Sequence, residues 1–438
     1  MIFQILSEYI WSDELRNEGR MGIKDFVRER VLTFPITVLF LINLAKKSLQ
    51  VSLNEFCDTC DLLQVTKQAF SKARKKLSSK TFILLNRKLV EEYYSDNNYS
   101  TWKGFRLLAV DGSDLQVPQI ADLKEVFGTA KNQTGSTLAM AKISYIYDVF
   151  SRITLDAQID RCKTSEGELA IKHIEAIQHL QRDKIQDLCI FDRGYPSLWL
   201  LFYLAHTEKD FVVRCTFGSC FGKVEEAIER GEEDVVIRLH AKDASKGQMK
   251  TLKKNAPFVD RRKDYIDIRM VIVTLSTGEK ELLITSLLDQ TTHLKDEFKI
   301  LYNYRWGTEE NYKLHKTGYE LENFSGQTRL AIEQELFSLV FTANMASILI
   351  EEAQMELDEE HRRKGLKHPY KINKRIAIAT LRGRLLAGIL NPETNMEELC
   401  KRLKFDLRKS ICPVRPNRKF ERLRKPRLKY GCTMRRCV

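Results

Sequence analysis

Residues 105–113 read Phe-Arg-Leu-Leu-Ala-Val-Asp-Gly-Ser, an apolar run of strand length that ends on an acid and a glycine. Residues 188–195, Leu-Cys-Ile-Phe-Asp-Arg-Gly-Tyr, repeat that arrangement, so Asp111 and Asp192 each follow a short apolar segment. A carboxylate in that position is expected at the edge of a sheet. Either run alone is weak evidence for a site, because aspartate after a strand is often only a turn residue.

Four polar residues share one stripe of a predicted helix further along the chain. At about 100° per residue, Tyr302, Arg305, Glu309 and Lys316 lie at about 0°, 300°, 340° and 320° on the helical wheel. Such a stripe could hold a metal ion through its carboxylate while the two cations grip a phosphate. The alternative is a solvated helix face with an ordinary i,i+4 pair between Arg305 and Glu309.

Taken in order, these three segments resemble bacterial insertion-sequence transposases of the DDE type. The spacing Tyr-x2-Arg-x3-Glu-x6-Lys resembles the signature of the Tyr-Arg-Glu-Lys group, and Asp-Gly-Ser and Asp-Arg-Gly-Tyr look like its first and second acidic motifs. The resemblance covers about residues 30–350. It implies a DNA transposase that binds the ends of its element, cleaves DNA and joins the 3′-OH to target DNA.

The resemblance also assigns roles to residues of this chain. It makes Asp111, Asp192 and Glu309 the catalytic residues and the ligands of two Mg²⁺ ions, with Mn²⁺ expected to substitute. Carboxylate oxygens suit Mg²⁺, and two ions can neutralise the charge that develops in phosphodiester cleavage. The expected contacts to DNA phosphates are Tyr302, Arg305, Lys316 and Arg193.

The expected partner is double-stranded DNA, as terminal inverted repeats and as target, and a homodimer is expected in a synaptic complex. Two alternatives stay open at this point. The chain could be a ribonuclease-H-like nuclease or resolvase that hydrolyses DNA without strand transfer. It could also be a repurposed transposase that binds DNA without catalysis.

The predicted elements follow the order of the ribonuclease-H-like fold that the resemblance implies. In that fold the first and fourth strands are neighbours, which would bring Asp111 beside Asp192. Ser165 and Glu168 are expected to form a capping box at the start of the first helix. The predicted strands are 105–111, 140–149, 153–161, 186–192 and 211–216, and the predicted helices are 166–180 and 196–208.

The fold class predicted for the whole chain is α/β. A ribonuclease-H-like catalytic core with an inserted β-strand domain is preceded by an α-helical DNA-binding domain and followed by a helical basic C-terminal region. The predicted parts are residues 1–100, residues 101–325 with the insertion at about 218–285, residues 326–400, and a basic tail at 401–438.

Some relatives use a tryptophan of this insertion to stack on a flipped base, and here the pattern departs from theirs. None of the four tryptophans lies within residues 218–285. Phe221, Phe258 or Tyr265 could take that place. Trp306, beside the polar stripe, is expected to pack in the core.

A basic helix in the N-terminal part is the predicted reader of the DNA ends. Thr66 is its expected N-cap, and Phe70 is expected to face the core. The outward face could contact bases and phosphates, although a solvated basic helix is an equal alternative. The predicted contacts are Lys67, Gln68, Ser71, Lys72, Arg74 and Lys75.

The formal net charge of +13 is concentrated at the C-terminus. Residues 401–438 hold 15 Lys and Arg against two acids, Asp406 and Glu421, so the rest of the chain is balanced. Such a segment suits a polyanion, because phosphate contacts release counterions. Charge alone would also allow RNA, an acidic membrane or simple solvation.

Ten scattered cysteines do not suggest a disulfide framework and suit a reducing compartment. Cys57-x2-Cys60 and Cys215-x4-Cys220 could bind zinc together, although no histidine lies at a helpful spacing. The apolar run at residues 34–45 is too short to span a bilayer, and no signal peptide is visible. A cytoplasmic protein without membrane contact is therefore expected, and the resemblance implies that it is bacterial and nucleoid-associated.

Overall fold

The structure is a computed structural model that describes residues 2–414, apart from 29, 45, 132–134, 181–184, 219, 276, 366–367 and 392. The first hundred residues are helical, as predicted. Ser12 and Thr33 accept hydrogen bonds from the first turns of the helices that follow them, which fixes where α2 and α3 start. The helices are α1 (Ile2–Trp11), α2 (Asp13–Gly19), α3 (Phe34–Ile42), α4 (Leu49–Thr59), α5 (Lys67–Arg74) and α6 (Lys80–Tyr93).

A large mixed sheet with flanking helices forms the centre of the molecule. Its strands are β1 (Phe105–Gln116), β2 (Thr129–Lys131), β3 (Thr137–Asp148), β4 (Ile153–Arg161), β5 (Gln186–Phe191), β6 (Asp210–Cys215), β7 (Asp234–His240), β8 (Tyr265–Thr274) and β9 (Lys280–Thr285). The helices between them are α7 (Ala121–Phe127), α8 (Glu166–Ile177), α9 (Leu198–His206), α10 (Gly222–Glu229) and α11 (Lys246–Asn255).

The strand order is β2-β3-β1-β5-β6-β9-β8-β7, and β4 pairs with β3 beyond the end of β2. Strands β1, β3 and β4 are antiparallel neighbours, whereas β5 and β6 run parallel to β1. The expected adjacency of the strands before Asp111 and Asp192 is confirmed. Parallel strands need a crossover connection, and here α8 and α9 provide the two crossovers.

The segment predicted as an inserted β-domain differs from that expectation. Its strands are present, but β9 pairs with β6, so β7, β8 and β9 extend the central sheet. Helices α10 and α11 also lie in this segment. The alternating apolar pattern shows strands correctly, but it carries no information about which sheet those strands join.

The C-terminal part is built around one long helix. The elements are α12 (Glu297–Asn303), α13 (Trp306–Lys313), α14 (Arg329–Arg363), β10 (Tyr370–Ile372), α15 (Lys374–Leu390), α16 (Met396–Leu407) and β11 (Ile411–Pro413). Helix α16 crosses residue 400, where the basic tail was expected to begin, because Leu403 and Leu407 are buried. Residues 415–438 lie outside the described part of the chain.

In the part of the chain that the structure describes, α14 alone is long and apolar enough to cross a membrane by length and composition. Its most apolar window is 83% buried inside the protein, and a core helix meets the same criterion. The helix packs against α3, α6 and β4. It therefore joins the N-terminal helices to the sheet.

A buried ionic cluster ties these parts together. The Glu335 carboxylate on α14 is 3.0 Å from Nη2 of Arg74 on α5 and 3.4 Å from Nζ of Lys46. Burial alone would raise the pKa of the Glu335 carboxyl, but Lys46, Arg74 and hydrogen bonds from Ser325 hold it below its usual value. Arg74 is only 6% exposed, so the expectation that it faces outward is wrong.

Arg74→Ala should lower the free energy of unfolding by about 3 kcal/mol, because it removes one partner from a buried ion pair. Lys75→Ala, one residue further at an exposed position, is the matched control and should change it by no more than about 0.5 kcal/mol. Denaturant unfolding followed by circular dichroism measures both. Equal effects for the two variants would contradict a buried role for Arg74.

Candidate active site

The pairing of β1 with β5 places two acids side by side. Val110 and Phe191 are the last partners in that parallel ladder, and Asp111 and Asp192 follow them directly. The expectation that β1 ends at Asp111 is wrong, since β1 continues along β3 to Gln116. Because β5 stops while β1 continues, one side of Asp111 faces the opening beyond β5.

The carboxyl of Asp111 is mostly buried, with its side chain 16% exposed. Burial raises its pKa from 3.8 to about 6, although Arg305 and the N–H of Gly112 oppose the shift; the negative charges of Asp192 and Glu166 add to it. The backbone carbonyl of Asp111 accepts hydrogen bonds from the hydroxyls of Tyr312 and Ser144, at 2.8 and 3.1 Å. Two hydrogen bonds thus hold the backbone of Asp111, and its carboxylate lies near two other negative charges.

Asp192 is oriented by two donors. Its Oδ1 accepts the backbone N–H of Arg193 at 2.6 Å and the hydroxyl of Tyr302 at 3.2 Å. Tyr302 is 2% exposed, and burial raises the pKa of its phenol, so the hydroxyl keeps its proton and remains a donor. Tyr302 therefore contacts the second acid in this structure.

The four residues of the polar stripe were expected to lie on one α-helix, and this expectation is wrong. Helix α12 ends at Asn303 and α13 begins at Trp306, and a π-helical turn covers Leu314–Gly318. Between α12 and α13 the N–H of Arg305 bonds the carbonyl of Tyr302, three residues back, at 3.1 Å. The backbone at Arg305 keeps helical angles, φ −53° and ψ −33°, so the direction of the chain is preserved.

The Arg305 guanidinium joins two of the predicted metal ligands. Its Nη2 donates to Oε1 of Glu309 at 2.8 Å, and its Nη1 is 3.6 Å from Oδ2 of Asp111. The residue is 2% exposed, and its buried Nε and Nη1 have no hydrogen-bond partner among the described residues. Arg305 thus neutralises two acids and still has two donors to offer.

Lys316 is engaged with the end of β1. Its Nζ donates to Oγ of Ser113 at 2.8 Å and also to the carbonyl of Asp114. Burial lowers the pKa of this ammonium, and Glu322 and Asp114 oppose the shift. The π-helical turn changes the phase of the helix just before this contact, yet Lys316 still reaches the strand that carries Asp111.

The structure thus gives three of the four expected phosphate contacts partners within the protein. Tyr302, Arg305 and Lys316 hold the acids or the strand beneath them, and their contact with DNA stays a prediction. Arg193 is exposed, and in the described part of the chain its side chain makes no hydrogen bond or ion pair. Of the four, Arg193 is therefore the one that could contact a phosphate without breaking a contact within the protein.

Glu166, which sequence reasoning did not select, lies at the same edge. It is the first residue of α8 and is 30% exposed, and its Oε1 accepts a hydrogen bond from Lys142 at 3.5 Å. The capping box expected from Ser165 and Glu168 is wrong, since Ser165 makes no side-chain cap bond. The sequence signal that could have identified Glu166 is its position, because it is an acid in the first turn of the helix that follows the third core strand.

The donor set suits a hard divalent cation in chemistry and charge. Asp111, Asp192 and Glu309 offer only carboxylate oxygens, which Mg²⁺ and Mn²⁺ prefer. No three His, Cys, Asp or Glu side chains within the described residues are already gathered around a common point, and this holds for the zinc alternative as well. Within the site, Glu309 is held by Arg305.

The aromatic expectations changed in two places. Trp306 is 53% exposed, so the expectation of core packing is wrong; its ring lies 5.3 Å from the guanidinium carbon of Arg305. Phe221 is 6% exposed and is not available for stacking on a base. Phe258 stacks on His206, and Tyr265 lies under Arg238, and both rings are exposed.

Most of the residues predicted to read DNA from α5 are exposed. Thr66 caps α5 by accepting the N–H of Ala69 at 3.2 Å, and Phe70 is fully buried, as expected. With Arg74 turned into the protein, the exposed members of the set are Lys67, Gln68, Ser71, Lys72 and Lys75. Their contact with DNA stays a prediction.

The raised pKa of Asp111 predicts a pH-dependent stability. The pKa of about 6 in the folded protein exceeds the value of 3.8 in the unfolded chain. The contribution of the protonated Asp111 carboxyl to the free energy of unfolding is therefore fully present below about pH 4 and is lost as the pH rises through 6. Asp111→Asn should therefore gain stability relative to the parent by about 2 kcal/mol between pH 4 and pH 7. Denaturant unfolding in chelator-treated buffer at these pH values measures the difference, with exposed Glu310→Gln as control. A difference that does not change with pH would contradict the assignment.

A cryo-EM structure of a piggyBac transposase synaptic complex with hairpin DNA is 11% identical, with a TM-score of 0.40; the alignment covers 95% of this chain and 76% of that chain. No curated protein matches the chain. Residues 102–345 match the family described as the transposase DDE domain. This match spans more than half of the 438 residues and includes all three acids, and the chain therefore belongs to the DDE transposase family.

Proposed function

We propose that the protein is a bacterial insertion-sequence transposase of the Tyr-Arg-Glu-Lys group. It binds the ends of its element, cleaves DNA and joins the 3′-OH to target DNA. The observation that carries the proposal is that Arg305 contacts Asp111 and Glu309 while Tyr302 contacts Asp192, at the edge where β5 ends. The family match supports the transposase class.

The sheet supports a ribonuclease-H-like core within this proposal. If the short β2 is left out, the core strands lie in the order β4-β3-β1-β5-β6. The first three strands of the chain are antiparallel and the next two are parallel to β1. This is the order that the resemblance implies, with α8 and α9 as crossovers.

The site residues divide the work of phosphoryl transfer. Members of the family use divalent metal ions, and we propose that Asp111, Asp192 and Glu309 hold two Mg²⁺. Bound there, the ions would activate the attacking oxygen and neutralise the leaving one. Tyr302 keeps the Asp192 carboxylate oriented, and Tyr312 and Ser144 fix the backbone of Asp111.

Arg305 and Arg193 are the proposed phosphate clamps. Nε and Nη1 of Arg305, which have no hydrogen-bond partner among the described residues, could each donate to a phosphate oxygen, and charge-assisted bonds of this kind are short and strong. Because Arg305 is buried in the DNA-free protein, this contact requires the Arg305–Glu309 pair to open. Opening that pair also releases Glu309 for the ions, so DNA and metal binding would favour each other.

The partners follow from the same proposal. Double-stranded DNA would contact the exposed face of α5 through Lys67, Gln68, Ser71, Lys72 and Lys75, and the basic residues after 414 would contact phosphates. We further propose that two copies hold two element ends in a synaptic complex, in the cytoplasm of a bacterial cell.

Asp111→Ala, Asp192→Ala and Glu309→Ala should each lower DNA cleavage at least a hundredfold and leave DNA affinity within about threefold of the parent. Each removes a proposed ion ligand but no proposed phosphate contact. The assay is nicking of a plasmid carrying the element ends in Mg²⁺ or Mn²⁺, together with gel-shift titration.

Glu310→Gln, adjacent to Glu309 but exposed, is the control and should cleave normally. Equal losses at Glu309 and Glu310 would remove Glu309 from the site. Cleavage by the parent without any joining of the 3′-OH would favour the nuclease alternative.

Removing residues 415–438 takes away ten Lys and Arg and one Glu. Affinity for every DNA sequence should fall together, and the slope of log K against log salt should flatten by roughly 0.9 for each phosphate that the protein no longer neutralises. Gel-shift titrations at several salt concentrations, on an element end and on an unrelated duplex, measure both slopes. Loss of preference for the element end with unchanged affinity for the unrelated duplex would make this segment a sequence reader instead.

A further inference from the structure

Glu166 reaches both loops that carry the catalytic aspartates. A Cβ atom built on Gly112, the residue after Asp111, would lie 2.9 Å from Oε1 of Glu166. A Cβ built on Gly194, two residues after Asp192, would lie 2.8 Å from Oε2. A single carboxylate therefore fills the space that a side chain at either glycine would need.

The backbone gives no other reason for these two glycines. Neither Gly112 nor Gly194 is among the positive-φ residues, so an L-amino acid could adopt either conformation. Close approach is the second reason for glycine at a fixed position, and the approaching group in both cases is Glu166. The glycines of the Asp-Gly-Ser and Asp-Arg-Gly-Tyr segments thus make room for a third carboxylate between the first two.

The charge of Glu166 is only partly balanced. Lys142 is its one ion-pair partner in the described part of the chain, at 3.5 Å, and Lys142 lies closer to Asp114, at 3.0 Å. Its Oε2 accepts no hydrogen bond from any described residue.

A separate observation concerns the balance of charge at this edge. Arg305 is 2% exposed, and its Nε and Nη1 have no hydrogen-bond partner among the described residues, although Nη1 lies 3.6 Å from Oδ2 of Asp111. It holds Glu309 at 2.8 Å. Arg305 pairs with Asp111 and Glu309, and Lys142 pairs with Glu166, so two cations face these three carboxylates and Asp192, and a divalent cation would add positive charge.

We propose that Glu166 is a fourth carboxylate of the divalent-cation site, beside Asp111 and Asp192. The inference rests on the proposed function. Glu166 acts as a positioning residue, since it is not gathered with the other acids around a common point. Its negative charge attracts the cation and its oxygens accept hydrogen bonds from the hydration shell, while the glycines keep the carboxylate close. Such outer partners change metal affinity by about 10–100-fold when they are removed.

Mn²⁺ binding to the full-length, DNA-free protein, measured by calorimetry and by electron paramagnetic resonance, tests the proposal. Glu166→Gln keeps the size and removes the charge, so it should weaken Mn²⁺ binding at least tenfold. Glu168→Gln is the matched control, because Glu168 lies on the same helix and pairs with Lys254 at the surface. The control should bind Mn²⁺ within twofold of the parent. Unchanged affinity in Glu166→Gln would overturn the inference.

Gly194→Ala is an independent test of the inference, and it can still be used if Glu166→Gln folds poorly. Its Cβ should push the carboxylate away and weaken Mn²⁺ binding by a similar factor, but in a Glu166→Ala background it should cause no further loss. Additive losses would mean that Gly194 acts without Glu166, and would overturn the inference.

The parent protein separates this inference from the proposed function. If the parent binds Mn²⁺ and cleaves element ends but Glu166→Gln binds Mn²⁺ equally well, only the role of Glu166 fails. If the parent neither binds Mn²⁺ nor cleaves DNA, the proposed function fails and the inference fails with it.

Discussion

The parallel pairing of β1 with β5 is the constraint on which the site depends. Its last pair, Val110 with Phe191, is followed on both strands by an aspartate, so the ladder itself sets the separation of the two acids. Like charges on adjacent strand ends repel each other, and burial makes this worse. Arg305 and Tyr302 offset that repulsion without filling all the donor and acceptor positions. An edge of this kind is stable enough to fold and still has capacity for cations and phosphate.

The polar stripe therefore has two tasks. In the DNA-free structure Tyr302, Arg305 and Lys316 organise the acids and the end of β1. In the proposed reaction Arg305 exchanges a carboxylate for a phosphate, and the freed Glu309 turns to the ions. The break between α12 and α13 and the π-helical turn after Lys313 suit such a change, because non-α turns are where helices adjust most readily. In this proposal, the Arg305 guanidinium thus contacts first Glu309 and then the substrate.

The N-terminal helices are joined to this site through α14. Arg74, at the end of the basic helix α5, enters the protein and pairs with Glu335, which also bonds the segment after the π-helical turn through Ser325. Removal of one partner from a buried ion pair is strongly destabilising, so this pair holds α5 against α14. It fixes the orientation of the exposed face of α5 relative to the catalytic sheet, which a protein that reads DNA ends and cuts beside them would need.

The sequence by itself located the core strands along the chain and the helical character of the residues before and after the sheet, because these depend on local periodicity. The choice of Asp111, Asp192 and Glu309 as the site came from the family resemblance and stays a prediction. The sequence did not determine that β7 to β9 join the central sheet, that Trp306 is exposed or that Arg74 is buried, since each of these depends on what lies opposite in space. The nearness of Glu166 to Asp111 is of the same kind. Residue 166 is 55 positions from residue 111 and 28 from residue 194, and only the packing of α8 against β1, β3 and β4 brings its carboxylate to both glycines.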